Sequence, residues 1–522
     1  MTVSEELILS IDIGTQSVRA VLIDLNGNIL EIIKTQIEPY FSVKPGWAEQ
    51  QPEYFRDKMF ETLKMLFKET KFEKERIKAV AVTTQRGTMV NLDKNGNSLR
   101  PAIMWLDQRQ AELGDYPGKM MQFTLRAVNM RESVIHAVKN GEVNWLIQNT
   151  PEIWEKTHKY LLLSGYINYI LTDEFNESIG NLVGYLPFDY KKQEWTNEKH
   201  MNYKMFPVEK EKLPNLVKPS QILGYITANA SEKTGIPEGL PVIAAASDKA
   251  CEVLGSGIFE PDVACLSYGT TATVQTTRSK YIEITPFFPA YPSAIPAFFN
   301  TEVMIYRGFW MINWFKKEFG YREMQIAKET GQQPEQLFDE MIKDIPPGSM
   351  GLTLQPYWSP GVKIPGTEAK GAIIGFGDVH TRAHIYRAIL EGLAYALKEG
   401  LIRTEKRTKI PIKKIVVSGG GSQSKQAMQL TADIFGKTAI RPHTYETSAL
   451  GAAINAAVGM KFFENYGDAV KAMTRIGEIY EPNSENEEIY RNLFKNVYLK
   501  MYKKLQPLYN EIRNITGYPK KS

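Results

Sequence analysis

The sequence predicts an α/β protein built as two related lobes. Three observations carry that expectation. The chain opens on a meander of β-rich runs, buried strand patterns then alternate with helical ones, and a strand, Gly-Thr turn, strand unit recurs about half a chain later. A chain of 522 residues is also too long for a single hydrophobic core.

The elements follow in order. Leu7 to Ile13 and Val18 to Asp24 are apolar and β-rich, and Asn26-Gly27 supplies a turn before Ile29 to Thr35. Pro52 to Glu69 has a helical pattern, while Ile77 to Thr84 and Leu240 to Ala246 read as buried strands. Near Asp262 the second meander begins: Val263 to Tyr268, the turn Gly269-Thr270-Thr271, then Ala272 to Thr277. Its likeness to Leu7 to Asp24 points to an internal repeat with a boundary near Gly257, although any two hairpins share some likeness. Thr381 to Arg403 predicts a long helix, Lys414 to Ser418 a strand, and Ser424 to Phe435 a helix. The last segment carries Tyr490, Phe494, Val497, Met501, Leu505 and Leu508 at helical spacing, a stripe that suits packing on a lobe because no basic cluster flanks it for lipid.

Composition narrows the function. Hydrophobic content of 43% and charged content of 23% are those of a globular chain, and 63 basic residues interleave with 59 acidic ones to give a net charge of +4. Nucleic acid is therefore not an expected partner. The start, Met1-Thr2-Val3-Ser4-Glu5-Glu6, lacks the basic and apolar blocks of a signal peptide, and no apolar run is long enough to span a bilayer. A cytoplasmic location without membrane attachment is expected. The two cysteines, Cys251 and Cys265, lie in apolar surroundings without metal-ligand spacing and read as buried thiols.

Three clusters bear on chemistry, and two others are set aside. Asp12-Ile13-Gly14-Thr15-Gln16-Ser17-Val18-Arg19 joins a strand-end carboxylate to a glycine, hydroxyls and an arginine, a set that suits a polyphosphate with Mg²⁺ or, more plainly, a surface hairpin. Ser247-Asp248-Lys249 puts a carboxylate where an apolar strand gives way to a helix, which fits either an N-cap or a base that takes a proton from an attacking hydroxyl. Ser418-Gly419-Gly420-Gly421-Ser422 stands between strand and helix, where glycines admit a flat ligand and a helix N-terminus favours negative charge. Its spacing fails the dinucleotide fingerprint, because the third glycine would fall at Ser424. Gly436-Lys437-Thr438 resembles a P-loop ending, but Thr431 replaces the required glycine, so it reads as a helix C-cap turn. His380 and His384 lack the acid of a zincin helix and read as structural.

Taken in order, these segments resemble the FGGY carbohydrate kinase family over nearly the whole chain. The resemblance rests on Asp12-Ile13-Gly14-Thr15, Gly46-Trp47-Ala48-Glu49-Gln50, Thr84-Gln85-Arg86, Trp105-Leu106-Asp107-Gln108-Arg109, Ser247-Asp248, Gly269-Thr270-Thr271, the block from Lys370 to Gly392, and Gly419-Gly420-Gly421 followed by Ala449-Leu450-Gly451-Ala452-Ala453. It implies two actin-like, ribonuclease-H-type lobes with mixed β-sheets around a central cleft. It further implies residues 1–257 as an N-terminal lobe with acceptor and base, 258–470 as a C-terminal nucleotide lobe, and 471–522 as a helical extension.

By the same resemblance the activity is ATP-dependent phosphorylation of a hydroxyl on a sugar, sugar acid or polyol. Asp248 would be the base and Asp12 the Mg²⁺ ligand through water. Gly14, Thr15, Gln16, Ser17, Arg19 and Thr270 would face the phosphates, with Gly308, Asn313, Gly420, Gly421 and Ser424 toward the nucleotide. The Phe309 and Trp314 segment around Gly308 also reads as a plain buried helix. Gln85, Arg86, Trp105, Asp107, Asp248 and Lys249 would meet the acceptor. A small sugar or polyol is the expected partner, and a homodimer is allowed.

The acceptor side departs from the family pattern. Members acting on glycerol place a glutamate after the Gln-Arg pair, and here Gly87 stands there. The Met-His pair of xylulose-acting members is Gln85-Arg86, the usual amide after the base is Lys249, a frequent lysine is Glu142 and a frequent aspartate is Ser178. Lys249 is expected to favour the ionised form of Asp248 and to suit an acidic or oxidised acceptor. The competing reading is an actin-like or chaperone-like ATPase switch with no small acceptor; Gln85, Arg86, Trp105 and Asp107 argue against it.

Overall fold

The computed structural model describes residues 4–113, 131–286, 288–359 and 365–518. The chain forms two compact units. Unit 1 comprises Met1–Phe259, Thr277–Asn300 and Glu446–Thr474, and unit 2 comprises Glu260–Thr276, Thr301–Tyr445 and Arg475–Ser522.

In unit 1, β1 (Leu7–Ile13), β2 (Ser17–Asp24) and β3 (Ile29–Gln36) make the antiparallel meander. The Asn26-Gly27 turn needs glycine twice over: φ is +72°, and a Cβ would stand 1.7 Å from the Met473 carbonyl oxygen. Helix α1 (Pro52–Glu69) starts on a proline at its first turn, where the missing N–H costs nothing. Strand β4 (Ile77–Thr84) pairs parallel with β1; β5 (Ile222–Tyr225) and β6 (Pro241–Ile243) complete the sheet in the order β5-β6-β4-β1-β2-β3, with β6 parallel to β4. Helix α2 (Asp248–Gly255) follows β6.

Unit 2 repeats this plan. Its strands β7 (Val263–Tyr268), β8 (Ala272–Arg278), β9 (Phe299–Ile305), β10 (Lys414–Ser418), β11 (Ala439–Pro442) and β12 (Ile476–Tyr480) lie in the order β9-β8-β7-β10-β11-β12. Again the first meander strand has a parallel partner, β10, followed by a second parallel strand and an antiparallel edge. The edge strand precedes its neighbour in unit 1 and follows it in unit 2. Both units thus have the mixed-sheet α/β order of an actin-like, ribonuclease-H-type lobe.

Side-chain alternation sets where the core lies in unit 1. Leu7, Leu9, Ile11 and Ile13 of β1 pack in one cluster with Phe55, Met59, Leu63 and Leu66 of α1. Ile8 points the other way, into a cluster with Ala250, Cys251 and Leu254 of α2 and the alanine-rich Thr447–Gly459 helix. The same parity puts Asp12 on the α2 face of the sheet. Unit 2 has its own cluster around β7, β8, β10 and the long helix α4 (Arg382–Thr408), which follows α3 (Trp310–Phe319) and precedes α5 (Lys425–Phe435) in the chain.

Three expectations change. Residues Glu446–Thr474, inside the stretch 258–470 expected for the second lobe, pack in unit 1, because their alanines close the α2 face of its sheet. From Arg475 onward the chain belongs to unit 2 and supplies its edge strand β12. The strand expected over 240–246 ends at Ile243, since the Ala245 and Ala246 carbonyls accept hydrogen bonds from the side chains of Ser178 and Thr83 instead of from a neighbouring strand. In the C-terminal segment, a π-helical turn at Phe494–Tyr498 adds a residue ahead of α6 (Leu499–Thr516), so Tyr498 and Tyr509 are buried where Val497 and Leu508 were expected. Leu508 is 58% exposed.

Candidate active site

The carboxyl ends of three adjacent parallel strands of unit 1, β1, β4 and β6, each lead into one group of expected site residues. Such strand ends are where open α/β sheets bind ligands. Beyond β1, Gly14 N–H donates to the Ser17 carbonyl at 3.0 Å and closes the first hairpin. Asp12, 2% exposed, faces Arg19 across the β1–β2 register, and the two pair at 2.6 Å; Arg19 also lies 3.4 Å from Glu446. Burial raises the Asp12 carboxyl above its ordinary range, outweighing Arg19, and the charges of Glu446 and Glu252 add to the rise. Ser17 is buried, and Gln16 is exposed with its carbonyl accepting the Ile37 N–H at 3.0 Å.

Beyond β4, the Gln85 N–H donates to the Ile13 carbonyl at 2.8 Å, which ties this loop to the end of β1. Its side-chain oxygen accepts from Thr15 Oγ1 at 3.0 Å and from the Trp105 indole at 3.2 Å. Arg86 follows, half-buried, with its guanidinium 5.8 Å from the centre of the Tyr291 ring. Gly87 has φ +63°, a left-handed turn that favours glycine over a glutamate at that position.

Trp105 and Asp107 belong to a loop with a different centre. Both Asp107 oxygens are filled by the protein: they accept from Arg109 N–H and Nε at 2.8 Å each, from its Nη2 at 2.7 Å, and from the Ala48 N–H at 2.6 Å. Arg109 also pairs with Glu49 at 2.9 Å, and its guanidinium packs against Trp47 and Trp145, 3.9 and 4.7 Å from their ring centres. Arg109, Glu49 and Trp47 lie within the Gly46–Gln50 and Trp105–Arg109 segments, but their spacing alone gives no sign that they form a site. Nearby Glu142 is pushed by burial up to about 7, with Asp107 adding and Arg109 opposing.

Beyond β6, Asp248 is the first residue of α2, and Ser247 makes no side-chain cap bond. The backbone leading to it is fastened on several sides. Thr83 Oγ1 and Cys251 Sγ donate to the Ala246 carbonyl at 2.8 and 3.2 Å, Ser247 N–H donates to the Gly180 carbonyl at 3.1 Å, and Ser448 Oγ donates to the Asp248 carbonyl at 3.1 Å. Burial pushes the Asp248 carboxyl up to about 6; Lys249 and Arg86 pull it down, and Asp12 adds to the rise. Lys249 therefore acts in the expected direction, but desolvation outweighs it. Burial also presses the Lys249 ammonium toward neutrality, yet Glu252 and Asp248 hold it above the usual lysine value, and its Nζ pairs with Glu252 at 2.9 Å.

In unit 2 the second hairpin leaves Thr270 exposed at its tip, and the Gly269 and Thr270 carbonyls accept from the Phe309 and Trp310 N–H groups at 3.1 and 3.3 Å. Gly308 allows that contact, since a Cβ there would lie 2.3 Å from Ala272 N. Phe309 stacks on Tyr268 at 4.3 Å, a core role, and Asn313 is exposed on α3. A side chain on Gly421 would strike the Phe309 ring at 2.3 Å, whereas Gly420 faces open space. The N-terminus of α5, expected to await a ligand's negative charge, is already filled: Asp339 accepts from the Ser424 hydroxyl and from the Lys425 and Gln426 N–H groups at 2.8 and 3.4 Å. His384 completes a capping box with Thr381, His380 accepts the Gly377 N–H at 2.7 Å within the preceding turn, and no cluster of three metal-binding side chains occurs among the described residues. No described helix is long and apolar enough to cross a membrane.

The chain is similar to known proteins along most of its length. Residues 7–255 match the N-terminal domain, and residues 264–460 the C-terminal domain, of the FGGY family of carbohydrate kinases. A xylulose kinase of Staphylococcus epidermidis is 27% identical over 98% of this chain and 100% of its own. A glycerol kinase of Thermococcus gammatolerans is 27% identical over 94% of this chain and 96% of its own. The crystal structure of gluconate kinase from Lactobacillus acidophilus superposes with a TM-score of 0.78 at 22% identity, covering 98% and 99% of the two chains. With both family domains matched in order along most of its length, the chain belongs to the FGGY family of carbohydrate kinases.

Proposed function

We propose that the protein phosphorylates a hydroxyl of a sugar, sugar acid or polyol at the strand ends of unit 1, with Asp248 as general base. The observation that carries this reading is the convergence of Asp12, Thr15, Gln85 and Asp248 at the ends of neighbouring parallel strands. A carboxyl brought up to about 6 is ionised at neutral pH yet basic enough to take a proton. As the acceptor oxygen forms its bond to the γ-phosphorus of ATP, its proton passes to Asp248 and the bond from γ-phosphorus to the bridging oxygen breaks, leaving ADP.

We assign the phosphates to Gly14, Thr15, Gln16, Ser17 and Arg19 of unit 1 and to Thr270 of unit 2. The nucleoside is assigned to Gly308, Asn313, Gly420 and Gly421, with Ser424 holding the start of α5. Arg86, Trp105 and Lys249 face the acceptor, and Asp107, its oxygens already filled, fixes the loop that carries Trp105. Asp12 fits Mg²⁺ held through water: it is a buried carboxylate whose pairing with Arg19 does not outweigh burial and the neighbouring charges of Glu446 and Glu252, which a cation would relieve, and one carboxylate with nucleotide phosphates is a common Mg²⁺ environment. A bound Mg²⁺ would supply neutralisation of phosphate charge.

The relatives act, by name, on xylulose, glycerol and gluconate, so a ketose, a polyol and an aldonate head the panel to be assayed with Mg·ATP by ADP release. One strongly stimulating acceptor is expected, and stimulation by none would count against the reading. Asp248→Asn is expected to keep ATP affinity and lose turnover by about 10²- to 10⁴-fold. Unchanged turnover would remove Asp248 from the role of base.

A further inference from the structure

The Gln85 carboxamide has one orientation and one loose end. The Trp105 indole N–H can only donate; it is shared between the Gln85 amide oxygen at 3.2 Å and Thr15 Oγ1 at 3.3 Å, and that amide oxygen also receives the Thr15 hydroxyl at 3.0 Å, whereas a flipped amide would set its nitrogen against the indole donor. The amide nitrogen is thereby fixed as a donor. It is buried, on a residue 3% exposed, and has no acceptor among the described residues. A buried N–H group without an acceptor is costly in a folded protein, and such groups commonly mark places completed by a ligand.

Strand order says which ligand. Strand β4, which ends at Gln85, lies between β1, which leads to Thr15, and β6, which leads to Asp248. With phosphate on the Thr15 side and the acceptor hydroxyl on the Asp248 side, the group that passes from one to the other crosses in front of the middle strand. We propose that the Gln85 amide N–H donates to an oxygen of the phosphoryl group in transfer. This places Gln85 with the chemistry of the transition state instead of with recognition of the sugar, and it rests on the assignments of Thr15 and Asp248 made above. A fixed donor aimed at developing charge needs no reorganisation when the charge appears.

Binding of ADP alone and of ADP with aluminium fluoride, a planar stand-in for the transferring phosphoryl, tests this by calorimetry in the presence of Mg²⁺. Gln85→Glu keeps an oxygen for Thr15 and Trp105 and loses the donor; Gln85→Met is neutral and separates loss of the donor from added charge. In both variants ADP affinity should match the wild type, while the extra affinity given by aluminium fluoride falls by about 10²-fold. In acceptor assays kcat should fall similarly with the acceptor KM little changed. Wild-type gain from aluminium fluoride in the Met variant would overturn the inference alone, as would a raised acceptor KM with unchanged kcat. If the wild type itself gains nothing from aluminium fluoride, the inference and the phosphate assignment both fail.

Discussion

Asp248 is held by opposing influences, and their balance is measurable. Burial lifts its carboxyl to about 6, while Lys249 and Arg86 restrain the rise. Because the proposed base must be ionised to accept a proton, kcat/KM should climb with pH and level off above about 6. Lys249→Gln removes one restraining cation, so its acid limb should move to higher pH. A limb that stays in place or moves lower would show that Lys249 acts on the acceptor alone. The sequence revealed this residue pair and the sign of Lys249's effect, because adjacency in the chain is enough to bring the charges together. It did not reveal the size of the desolvation, which depends on Ala246, Cys251 and the strands around them. Asp107 shows the same limit. Its motif was plain, but the partners that fill it, Ala48 N–H and Arg109, come from a turn 59 residues away and from its own loop.

Between elements, the closest packing near the base is the crossing of α2 and the Thr447–Gly459 helix. A Cβ on Gly451 would lie 1.9 Å from the Cys251 carbonyl oxygen, and one on Gly255 would lie 1.9 Å from that of Thr447. Backbone meets backbone there, so no side-chain rotation can make room. Gly451→Ala should therefore push α2 outward, cost about 1–3 kcal/mol or more of stability, and lower kcat through Asp248 at the start of α2. Differential scanning calorimetry and steady-state kinetics check both effects; a variant with wild-type melting and turnover would contradict this packing account. The Ala449-Leu450-Gly451-Ala452-Ala453 run was visible in the sequence as a family segment, but its partner helix was not. Local pattern located β1, α1, β4 and β10 within a residue or two, while the long helix α4 runs on to Thr408, past the expected end at Arg403. The pattern missed the early end of β6, where side chains from distant segments take the backbone carbonyls, and the π-helical turn at Phe494–Tyr498.

At the scale of the molecule, the repeated strand order explains why two Gly-Thr hairpins occur: each follows the first strand of the same sheet plan. What a linear reading could not show is that unit 1 is assembled from three stretches of chain. A fragment ending at Phe259 would lack the Thr447–Gly459 helix and expose Ile8, Val21, Ala79 and Ala81, which are buried in the whole protein. Such a fragment should show an expanded, dye-binding state by fluorescence and poor near-ultraviolet dichroism, and co-expression with residues 446–474 should restore order. A cooperative, well-packed fragment on its own would refute this. The same discontinuity bears on synthesis. The ribosome must add 215 residues after Phe259 before Thr474 emerges, roughly 10–40 s at about 5–20 residues per second. Through that interval the nascent sheet presents an unfinished apolar side, so this protein is expected to draw on chaperones during translation more than its modest hydrophobic content would indicate.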